Sequence, residues 1–257
     1  MPTQNRFAAA LALFLLAGGA PAGAVAACRG ETFEGADYTV CSFDLTRSDL
    51  RMFWRDGEGD PYRNFSSLAS ALEAQGERLA FGMNGGMYDD SFAPIGLYVE
   101  DGKELAPANT KTVTGAPAEI PNFYKKPNGI FFMAGDTAGV MSTEAYLGAP
   151  PAASFATQSG PMLVIDGAIH PAFIEDSTDR KPRNGVGVSG PTDVHFAISE
   201  DRVNFHSFAR FFRDRLGCDD ALFLDGGTAP GLYAPELDRD DSPGHGGYGP
   251  IIGVVGE

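Results

Sequence analysis

Residues 221–228 read Ala-Leu-Phe-Leu-Asp-Gly-Gly-Thr, and this stretch decides how the fold is interpreted. A short apolar run that is closed by two glycines is typical of a buried strand that stops abruptly. The sheet would hold Asp225 rigidly towards a cleft, while Gly226 and Gly227 let ligand or backbone come close. A plain Asp-Gly turn is the alternative, and this stretch alone favours the turn.

Other strand ends in the chain follow the same pattern, which shifts the balance towards a site. Each places a polar side chain beside glycine, as where Leu79–Met83 runs into Asn84-Gly85-Gly86. An arginine offers a planar fork that matches phosphate or carboxylate oxygens, and asparagine beside glycine offers an amide and open backbone. Together they predict a site for a polar, anionic ligand. The polar residues placed in this way are Asn84, Asn128, Gln158, Arg183 and Asp225.

The remaining pattern predicts one α+β domain with a mixed, largely antiparallel central sheet and a few packed helices. Turn pairs such as Asp101-Gly102 and Asp166-Gly167 are typical of tight hairpins. A helix is predicted over Asn204–Leu216, capped by Asn204 and ended by Gly217, between two strands that it would connect as a crossover. A second helix is predicted over Asn64–Glu73, with a serine cap.

The composition excludes some partners. The 257 residues carry a formal charge of −15 and are 43% hydrophobic, so the chain can bury a full core. The acidic balance argues against nucleic acid or an anionic membrane surface as partner. We expect no cofactor, and the sequence leaves open whether a metal is needed.

The N-terminus has the pattern of a signal peptide, residues 1–27. Arg6 precedes an apolar stretch over 7–17, and small residues suited to cleavage follow at 24–27. The mature domain would then span 28–257, with no transmembrane segment, in the periplasm or outside the cell.

Two interpretations of Cys28 remain open. In an oxidising compartment Cys28 and Cys41 would pair across a hairpin, which stabilises the fold by roughly 3 kcal/mol. Alternatively, Val25-Ala26-Ala27-Cys28 resembles a bacterial lipobox, in which Cys28 would carry a lipid anchor. We expect Cys218 to be unpaired and buried.

Several chemistries have no support in the sequence. The chain has neither a Gly-x-Ser-x-Gly nucleophile elbow nor a P-loop. Its four histidines lack zinc-ligand spacing, and a lone histidine is more often a surface or packing residue than a catalyst. The acidic run at 238–241 lacks the spacing of a calcium loop.

Blocks along nearly the whole mature chain resemble the phosphodiester glycosidase family, related to the catalytic domain of the animal uncovering enzyme. That enzyme removes N-acetylglucosamine from a mannose-phosphate diester on lysosomal hydrolases. Residues 232–237 are closer to the exported bacterial branch. One departure is Thr228-Ala229-Pro230, where animal members tend to have a serine-rich run. The blocks that carry the resemblance are residues 84–88, 94–97, 101–102, 127–131, 158–163, 183–187, 224–227 and 249–254.

The resemblance implies an exported hydrolase that cleaves a sugar-1-phosphodiester at the glycosidic C–O bond, on a glycan or glycoconjugate. Arg183 would hold the phosphate, and Asp225 would act as base or electrostatic stabiliser beside the developing oxocarbenium carbon. Asn84 is the third predicted catalytic residue, and Asp89 and Asp90 are candidates for a second carboxylate. The predicted substrate-binding residues are Gly85, Gly86, Asn128, Gln158, Gly226, Gly227 and Thr228.

Two other classes of function remain open. A non-catalytic envelope glycan-binding protein would keep the polar cleft and bind a glycan or sugar phosphate without hydrolysing it. An exported structural or partner-binding protein would use the glycine-rich stretches only as tight turns.

Overall fold

Three antiparallel sheets, rather than one, make up most of the molecule. The computed structural model describes residues 27–116, 119–226 and 230–256, so only the last residue of the predicted signal peptide lies within the described chain. In these residues no helix is long and apolar enough to cross a membrane. The α+β class and the dominance of antiparallel pairing are confirmed.

The described chain contains the following elements, in order. The strands are β1 (Ala27–Phe33), β2 (Ala36–Asp44), β3 (Asp49–Phe53), β4 (Arg78–Asn84), β5 (Tyr98–Glu100), β6 (Lys103–Ala106), β7 (Gly129–Ala134), β8 (Thr137–Ser142), β9 (Phe155–Ser159), β10 (Met162–Ile165), β11 (Ala168–Ile169), β12 (Asn184–Val188), β13 (Asp193–Ser199), β14 (Asp220–Phe223), β15 (Leu232–Ala234), β16 (Arg239–Asp240) and β17 (Ile251–Gly256). The α-helices are α1 (Phe65–Glu73), α2 (Thr143–Gly148) and α3 (Phe205–Arg210), with 3-10 turns at Asn122–Tyr124 and Pro235–Leu237 and a π-helical turn at Phe211–Arg215.

The strands form one sheet of seven and two of five. The seven-stranded sheet has the order β1-β2-β13-β12-β14-β10-β11. The other two have the orders β16-β15-β4-β17-β3 and β6-β5-β9-β7-β8. Chain neighbours pair as hairpins at the predicted Asp101-Gly102 and Asp166-Gly167 turns. In both turns the aspartate and the glycine have positive φ, as such tight turns require.

The core lies where the three sheets face one another. Phe196 of the seven-stranded sheet packs with its ring centroid 5.0 Å from Phe81 and 5.9 Å from Phe131, which belong to the other two sheets. All three side chains are fully buried. This shared aromatic contact fixes the sheets against one another, and with them the strand ends that carry the predicted site.

The predicted crossover after β13 is confirmed. Strands β13 and β14 both pair antiparallel with β12, so they run parallel to each other, and α3 connects them. The Asn204 side chain caps α3 by accepting the Ser207 N–H at 2.8 Å, and Gly217 follows the π-helical turn with a φ of +68°. Phe208 and Phe212 are buried against the seven-stranded sheet.

The cap of α1 differs from the prediction. The helix begins at Phe65, and the Asn64 side chain, not a serine, accepts the Ser67 N–H at 2.7 Å. A serine cap is wrong because the extended backbone that a cap requires is at Asn64, two residues before the first serine, Ser66.

The two predictions for cysteine are confirmed. Cys28 and Cys41 lie opposite each other in the β1–β2 hairpin and form a disulfide. Cys218 is unpaired and buried, and burial raises the pKa of its thiol far above the usual range.

Candidate active site

Asn84 joins three strand ends at the predicted site. It is the last residue of β4 and is fully buried. Its Nδ2 donates to the backbone oxygen of Asp225 at 2.7 Å, and its Oδ1 accepts from the Gly231 N–H and from Asn184 Nδ2, each at 2.8 Å. Because the amide is bonded to the backbone on both sides of the loop after β14, Asn84 fixes where Asp225 lies. Asn84 therefore acts on the loop that carries the Asp225 carboxylate, through the backbone of that loop.

The Asp225 carboxyl group has the properties of an acid–base catalyst. The side chain is half-buried, and within residues 27–116, 119–226 and 230–256 no hydrogen-bond donor reaches its oxygens. Burial raises its pKa to about 7, because the charged form is withdrawn from water. A carboxyl group with a pKa near neutrality can both take and return a proton at working pH.

Tyr88 and His245, which sequence reasoning missed, lie next to each other. Burial raises the pKa of the Tyr88 phenol, and the Asp225 charge raises it further. Tyr88 donates to the Gly247 carbonyl at 2.9 Å, and its hydroxyl lies 3.4 Å from His245 Nδ1. Tyr88 is the last residue of block 84–88, which carried part of the family resemblance and was the available signal. His245 belongs to no spaced histidine motif that would have indicated a functional role.

Two residues next to Tyr88 have left-handed backbone conformations that bulky side chains rarely adopt. Arg63 has a φ of +64° and Phe92 a φ of +62°, and the Arg63 guanidinium lies 4.6 Å from the Phe92 ring centroid. The Phe92 ring also stacks on Tyr88 at 5.8 Å, and Trp54 Nε1 donates to the Phe92 carbonyl at 2.8 Å. Such backbone strain clusters at functional sites, and here it sets the position of an aromatic wall.

Close packing between strand ends accounts for the glycines at the site. A Cβ atom at Gly86 would lie 2.4 Å from the Gln158 carbonyl oxygen, and one at Gly85 would lie 3.1 Å from the Pro250 carbonyl oxygen. At Gly226 it would lie 2.8 Å from the Phe223 ring and 3.2 Å from the Arg183 Cα. Glycine is therefore required here for backbone contact, which sequence alone could not separate from contact with a ligand. Gly227 and Thr228 lie outside the described residues.

The predicted amide residues Gln158 and Asn128 are bonded to the protein. Gln158 Oε1 accepts from the Leu97 and Asn109 N–H groups at 3.0 and 2.8 Å. Its Nε2 donates to the Asn109 carbonyl at 2.9 Å and to Thr143 Oγ1 at 3.0 Å. The same Thr143 hydroxyl donates to Asn128 Oδ1 at 2.9 Å. All four hydrogen-bonding positions of Gln158 are thus occupied, and the residue holds the loop after β6 against β9.

Arg183 is also bonded to the protein. Its side chain is 1% exposed, its Nε donates to the Val203 carbonyl at 2.9 Å and its Nη2 to the Asp179 carbonyl at 3.1 Å. The guanidinium stacks 3.6 Å from the centroid of Phe205, and burial lowers its pKa to about 10. The backbone of Arg183 packs against Gly226 at the site. Its guanidinium points away from Gly226 to the carbonyls of Asp179 and Val203 and to the Phe205 ring.

Asp89 and Asp90, the candidates for a second carboxylate, are both exposed. Asp89 Oδ1 accepts from the Ser91 N–H, the Ser91 hydroxyl and the Ala93 N–H at 2.8, 2.6 and 3.1 Å. These hydrogen bonds, chiefly the one from the Ser91 hydroxyl, hold the Asp89 pKa below its usual value. Asp89 therefore orders the turn that leads to Phe92.

Two of the clefts on the surface differ in their relation to the predicted site. A cleft of about 440 Å³ includes Lys125, Asp179 and Phe205 and adjoins Arg183. Another of about 690 Å³ lies at β3, where its cation Arg51 pairs with Glu77 at 3.0 Å and with Asp49. Glu100 and Asp101 also line it, so the cleft is acidic, and none of its lining residues belongs to the predicted site. Within the described ranges, no three histidine, cysteine or acidic side chains converge as a metal site.

Comparisons with known proteins agree with the resemblance seen in the sequence. The sequence profile of the phosphodiester glycosidase family matches residues 77–254. The uncharacterized protein YigE of Escherichia coli (strain K12) is 34% identical over 177 residues, which span 69% of this chain and 66%, just under two thirds, of that relative.

Solved structures share the fold. The catalytic domain of zebrafish N-acetylglucosamine-1-phosphodiester alpha-N-acetylglucosaminidase, auto-inhibited by its pro-peptide, superposes with a TM-score of 0.60 at 15% identity, covering 88% of this chain and 81% of that one. A hypothetical protein from Synechocystis superposes with a TM-score of 0.55 at 14% identity, covering 90% and 61%. At these identities the similarity establishes the architecture alone.

Proposed function

The chain belongs to the phosphodiester glycosidase family, and we propose that it is an exported hydrolase that cleaves a sugar-1-phosphodiester at the glycosidic C–O bond. The observation that carries the proposal is Asp225 at a strand end, where its backbone carbonyl accepts a hydrogen bond from Asn84 and burial raises the pKa of its carboxyl group to about 7. Family membership supports hydrolysis in general, and the geometry of Asp225 supports this particular chemistry.

In the proposed reaction Asp225 acts as general base. Its carboxylate takes a proton from water as the water oxygen bonds to the anomeric carbon, and the bond from that carbon to the phosphate oxygen breaks. The phosphate leaves with the electron pair as a phosphomonoester, and the hydroxyl group stays on the sugar. A phosphomonoester is a good leaving group, so one carboxylate with a near-neutral pKa is sufficient for proton transfer.

Tyr88 and Phe92 provide a surface for the sugar beside this carboxylate. Their rings stack 5.8 Å apart, and both side chains are partly exposed. The C–H face of a pyranose carries a small positive potential, which suits the negative face of an aromatic ring. His245, exposed at 3.4 Å from the Tyr88 hydroxyl, adds a polar group at the rim.

We assign Asn84 and Arg183 to positioning rather than to contact with the substrate. Both side chains are buried and hydrogen-bonded to protein groups, and both residues touch the loop that carries Asp225, Asn84 through the Asp225 carbonyl and Arg183 through Gly226. Positioning of this kind matters because a displacement of about 1 Å at the reacting group can slow a reaction about a hundredfold.

Export is supported by the disulfide. Cys28 and Cys41 are bonded across the first hairpin, and such bonds persist in oxidising compartments. A lipidated Cys28 has no thiol left for that bond, so the disulfide favours a free periplasmic or secreted protein over an anchored one.

The test compares Asp225→Asn with the parent on an N-acetylglucosamine-1-phosphodiester and on matched diesters of other sugars. We expect the substitution to lower kcat by at least a thousandfold, because the proton acceptor is removed while the shape is kept. Asp136→Asn, at an exposed hairpin turn, is the matched control and should leave kcat unchanged.

Two outcomes would contradict the proposal. A rate in Asp225→Asn equal to that of the parent would show that Asp225 is not the base. A parent that binds these diesters saturably and hydrolyses none of them would be a glycan-binding protein instead.

A further inference from the structure

Asn184, which was not among the residues predicted for the site, completes the hydrogen bonds around Asp225. It is the first residue of β12 and directly follows Arg183. Successive side chains along a strand point to opposite faces of the sheet. The Arg183 guanidinium accordingly stacks on Phe205, whereas the Asn184 side chain reaches Asn84 at the end of β4, in a neighbouring sheet. The two asparagines therefore join the strand ends of two sheets.

The orientation of both amides is fixed by a backbone N–H, which can only donate. The Gly231 N–H lies 2.8 Å from the Asn84 side chain, so the atom that accepts it is Oδ1, and Nδ2 faces the Asp225 carbonyl. Because Asn84 presents the same Oδ1 to Asn184, the Asn184 atom 2.8 Å away is Nδ2. That nitrogen also lies 3.4 Å from the backbone oxygen of Asn84. Asn184 thus binds both the side chain and the backbone of Asn84 through one amide nitrogen.

The other half of the Asn184 amide indicates that the residue is kept for its donors. Its Oδ1 is buried, and in the part of the chain that the structure describes no donor reaches it. A buried acceptor without a partner lowers stability, and such groups are rare in folded proteins unless they have a functional role. An aliphatic side chain of similar size would avoid this cost but would lack the bonds to Asn84.

The backbone at the start of β12 holds the residues on either side of Asp225. The Asn184 carbonyl accepts the Leu224 N–H at 3.1 Å. On the other side, a Cβ atom at Gly226 would lie 3.2 Å from the Arg183 Cα. Asp225 is therefore fixed by its two neighbours in the chain as well as through its own carbonyl group.

We propose that Asn184 is a positioning residue for the Asp225 carboxyl group, which it holds in place by fixing the amide of Asn84. The inference rests on the proposed function for the identity of the reacting group. Hydrogen bonds from Leu224 to Asn184, from Asn184 to Asn84 and from Asn84 to Asp225 form a closed ring, since Leu224 and Asp225 are adjacent in the chain. Networks of this kind resist displacement more than the same bonds would separately. The Asn184 side chain is fully buried, so it acts through the protein and not on the substrate.

A double-mutant cycle tests whether Asn184 acts through Asn84. Asn184→Ala should lower kcat for an N-acetylglucosamine-1-phosphodiester by about tenfold to a hundredfold with little change in KM, because the base is displaced while no substrate contact is removed. The combined variant with Asn84→Ala should lower kcat no further than Asn84→Ala alone, since both changes break the same link. Asn184→Leu keeps the volume of the side chain and removes its donors, so it should show the same loss without leaving a cavity.

Asn204→Ala is the matched control for the loss of a buried asparagine. Asn204 is as buried as Asn184, donates to the Glu175 and Ser177 carbonyls and caps α3. Its replacement should lower the melting temperature at least as much as Asn184→Ala and leave kcat close to that of the parent.

Carbon-13 NMR titration of the Asp225 carboxyl group provides a measurement that needs no turnover. In the parent this group should titrate near pH 7. In Asn184→Ala the released loop should admit water, so the pKa should fall towards the ordinary value of an aspartate, about 4. Asn204→Ala should titrate like the parent.

The outcomes separate this inference from the proposed function. An Asp225 pKa that is unchanged in Asn184→Ala and Asn184→Leu would overturn it, as would a double variant whose loss of kcat is the product of the two single losses. If Asn184→Ala lowers the Asp225 pKa but the parent hydrolyses no diester, the positioning role stands and the proposed reaction fails. If the parent hydrolyses diesters and the two single losses multiply, the reaction stands and the positioning role fails.

Discussion

Asp225 combines a strand-end position with a carboxyl group that folding withdraws from water. Its pKa of about 7 arises from burial alone, and the burial arises because Asn84 and Gly226 hold the loop close to neighbouring strands. A raised carboxyl pKa means that the folded state keeps a proton that the unfolded chain releases. The same feature that suits catalysis therefore opposes folding at neutral pH.

The pH dependence of stability follows from that shift. Below about pH 4 the carboxyl is neutral in both states; between about pH 4 and pH 7 only the unfolded chain loses the proton, so the free energy of unfolding falls as pH rises. Asp225→Asn removes this penalty. We expect the difference in unfolding free energy, variant minus parent, to be about 2 kcal/mol larger at pH 8 than at pH 4. This value allows for solvent screening of a half-buried group.

Urea denaturation of both proteins at pH 4, 6 and 8 measures this difference. A variant whose stability relative to the parent is the same at all three values would show that the Asp225 pKa is not raised by folding.

Arg183 supports the site through buried carbonyl groups. Arg183→Lys keeps the charge but loses the fork that binds the Val203 and Asp179 carbonyls, so we expect a loss of about 2–4 kcal/mol in unfolding free energy. Arg180→Lys, the same change at an exposed neighbouring position, should be nearly neutral. Thermal and urea unfolding of both variants would measure the contrast.

The opposite result would support the role that the sequence predicted for Arg183, which is to hold the phosphate of the substrate. If Arg183→Lys is as stable as Arg180→Lys while its KM for a diester rises, the guanidinium contacts the phosphate.

At the scale of elements, the sequence predicted the features that depend on interactions between residues close together in the chain. The hairpin turns, the cap of α3 by Asn204 and the strand that ends before Asp225 all depend on residues close together in the chain. The hydrogen-bond partners of the polar residues at the strand ends lie far away in the chain. Gln158 is hydrogen-bonded to Asn109, 49 residues away, and Asn84 to Asp225, 141 residues away. Sequence alone could therefore not show that these amides are already hydrogen-bonded within the protein.

The first hairpin is an element whose bond can be tested. The disulfide closes a separation of 13 residues, so replacing both Cys28 and Cys41 by serine should lower the unfolding free energy by about 3 kcal/mol. Treating the parent with a reducing agent should lower its unfolding free energy by a similar amount. The same treatment should leave the unfolding free energy of the double-serine variant unchanged.

Mass spectrometry of the exported chain provides the decisive measurement for this bond, and should find Cys28 linked to Cys41. A diacylglyceryl group on Cys28 would contradict the disulfide and establish a lipoprotein. The boundary of the mature chain at residue 28, which is still a prediction, would be read from the same spectrum.

At the scale of the molecule, three sheets meet at Phe196, and the ends of β4, β9, β12, β14 and β15 meet around Asn84 and Gly86. The α+β class followed from the strand and turn pattern, but the division into three sheets depends on which distant strands pair. The Tyr88 wall and the lysine-bearing cleft arise from that assembly. Neither has a sequence pattern of its own, since their members come from loops that only the packed sheets bring together.

The central claim is that water attacks the sugar carbon and not the phosphorus, and isotope labelling tests it most directly. Hydrolysis of an N-acetylglucosamine-1-phosphodiester in water enriched in oxygen-18 should place the label on the anomeric hydroxyl group of the sugar, with none in the phosphomonoester. Asp225→Asn should release neither product at a measurable rate. Label in the phosphate would mean that the P–O bond breaks, and the assignment of Asp225 to attack at the anomeric carbon would be wrong.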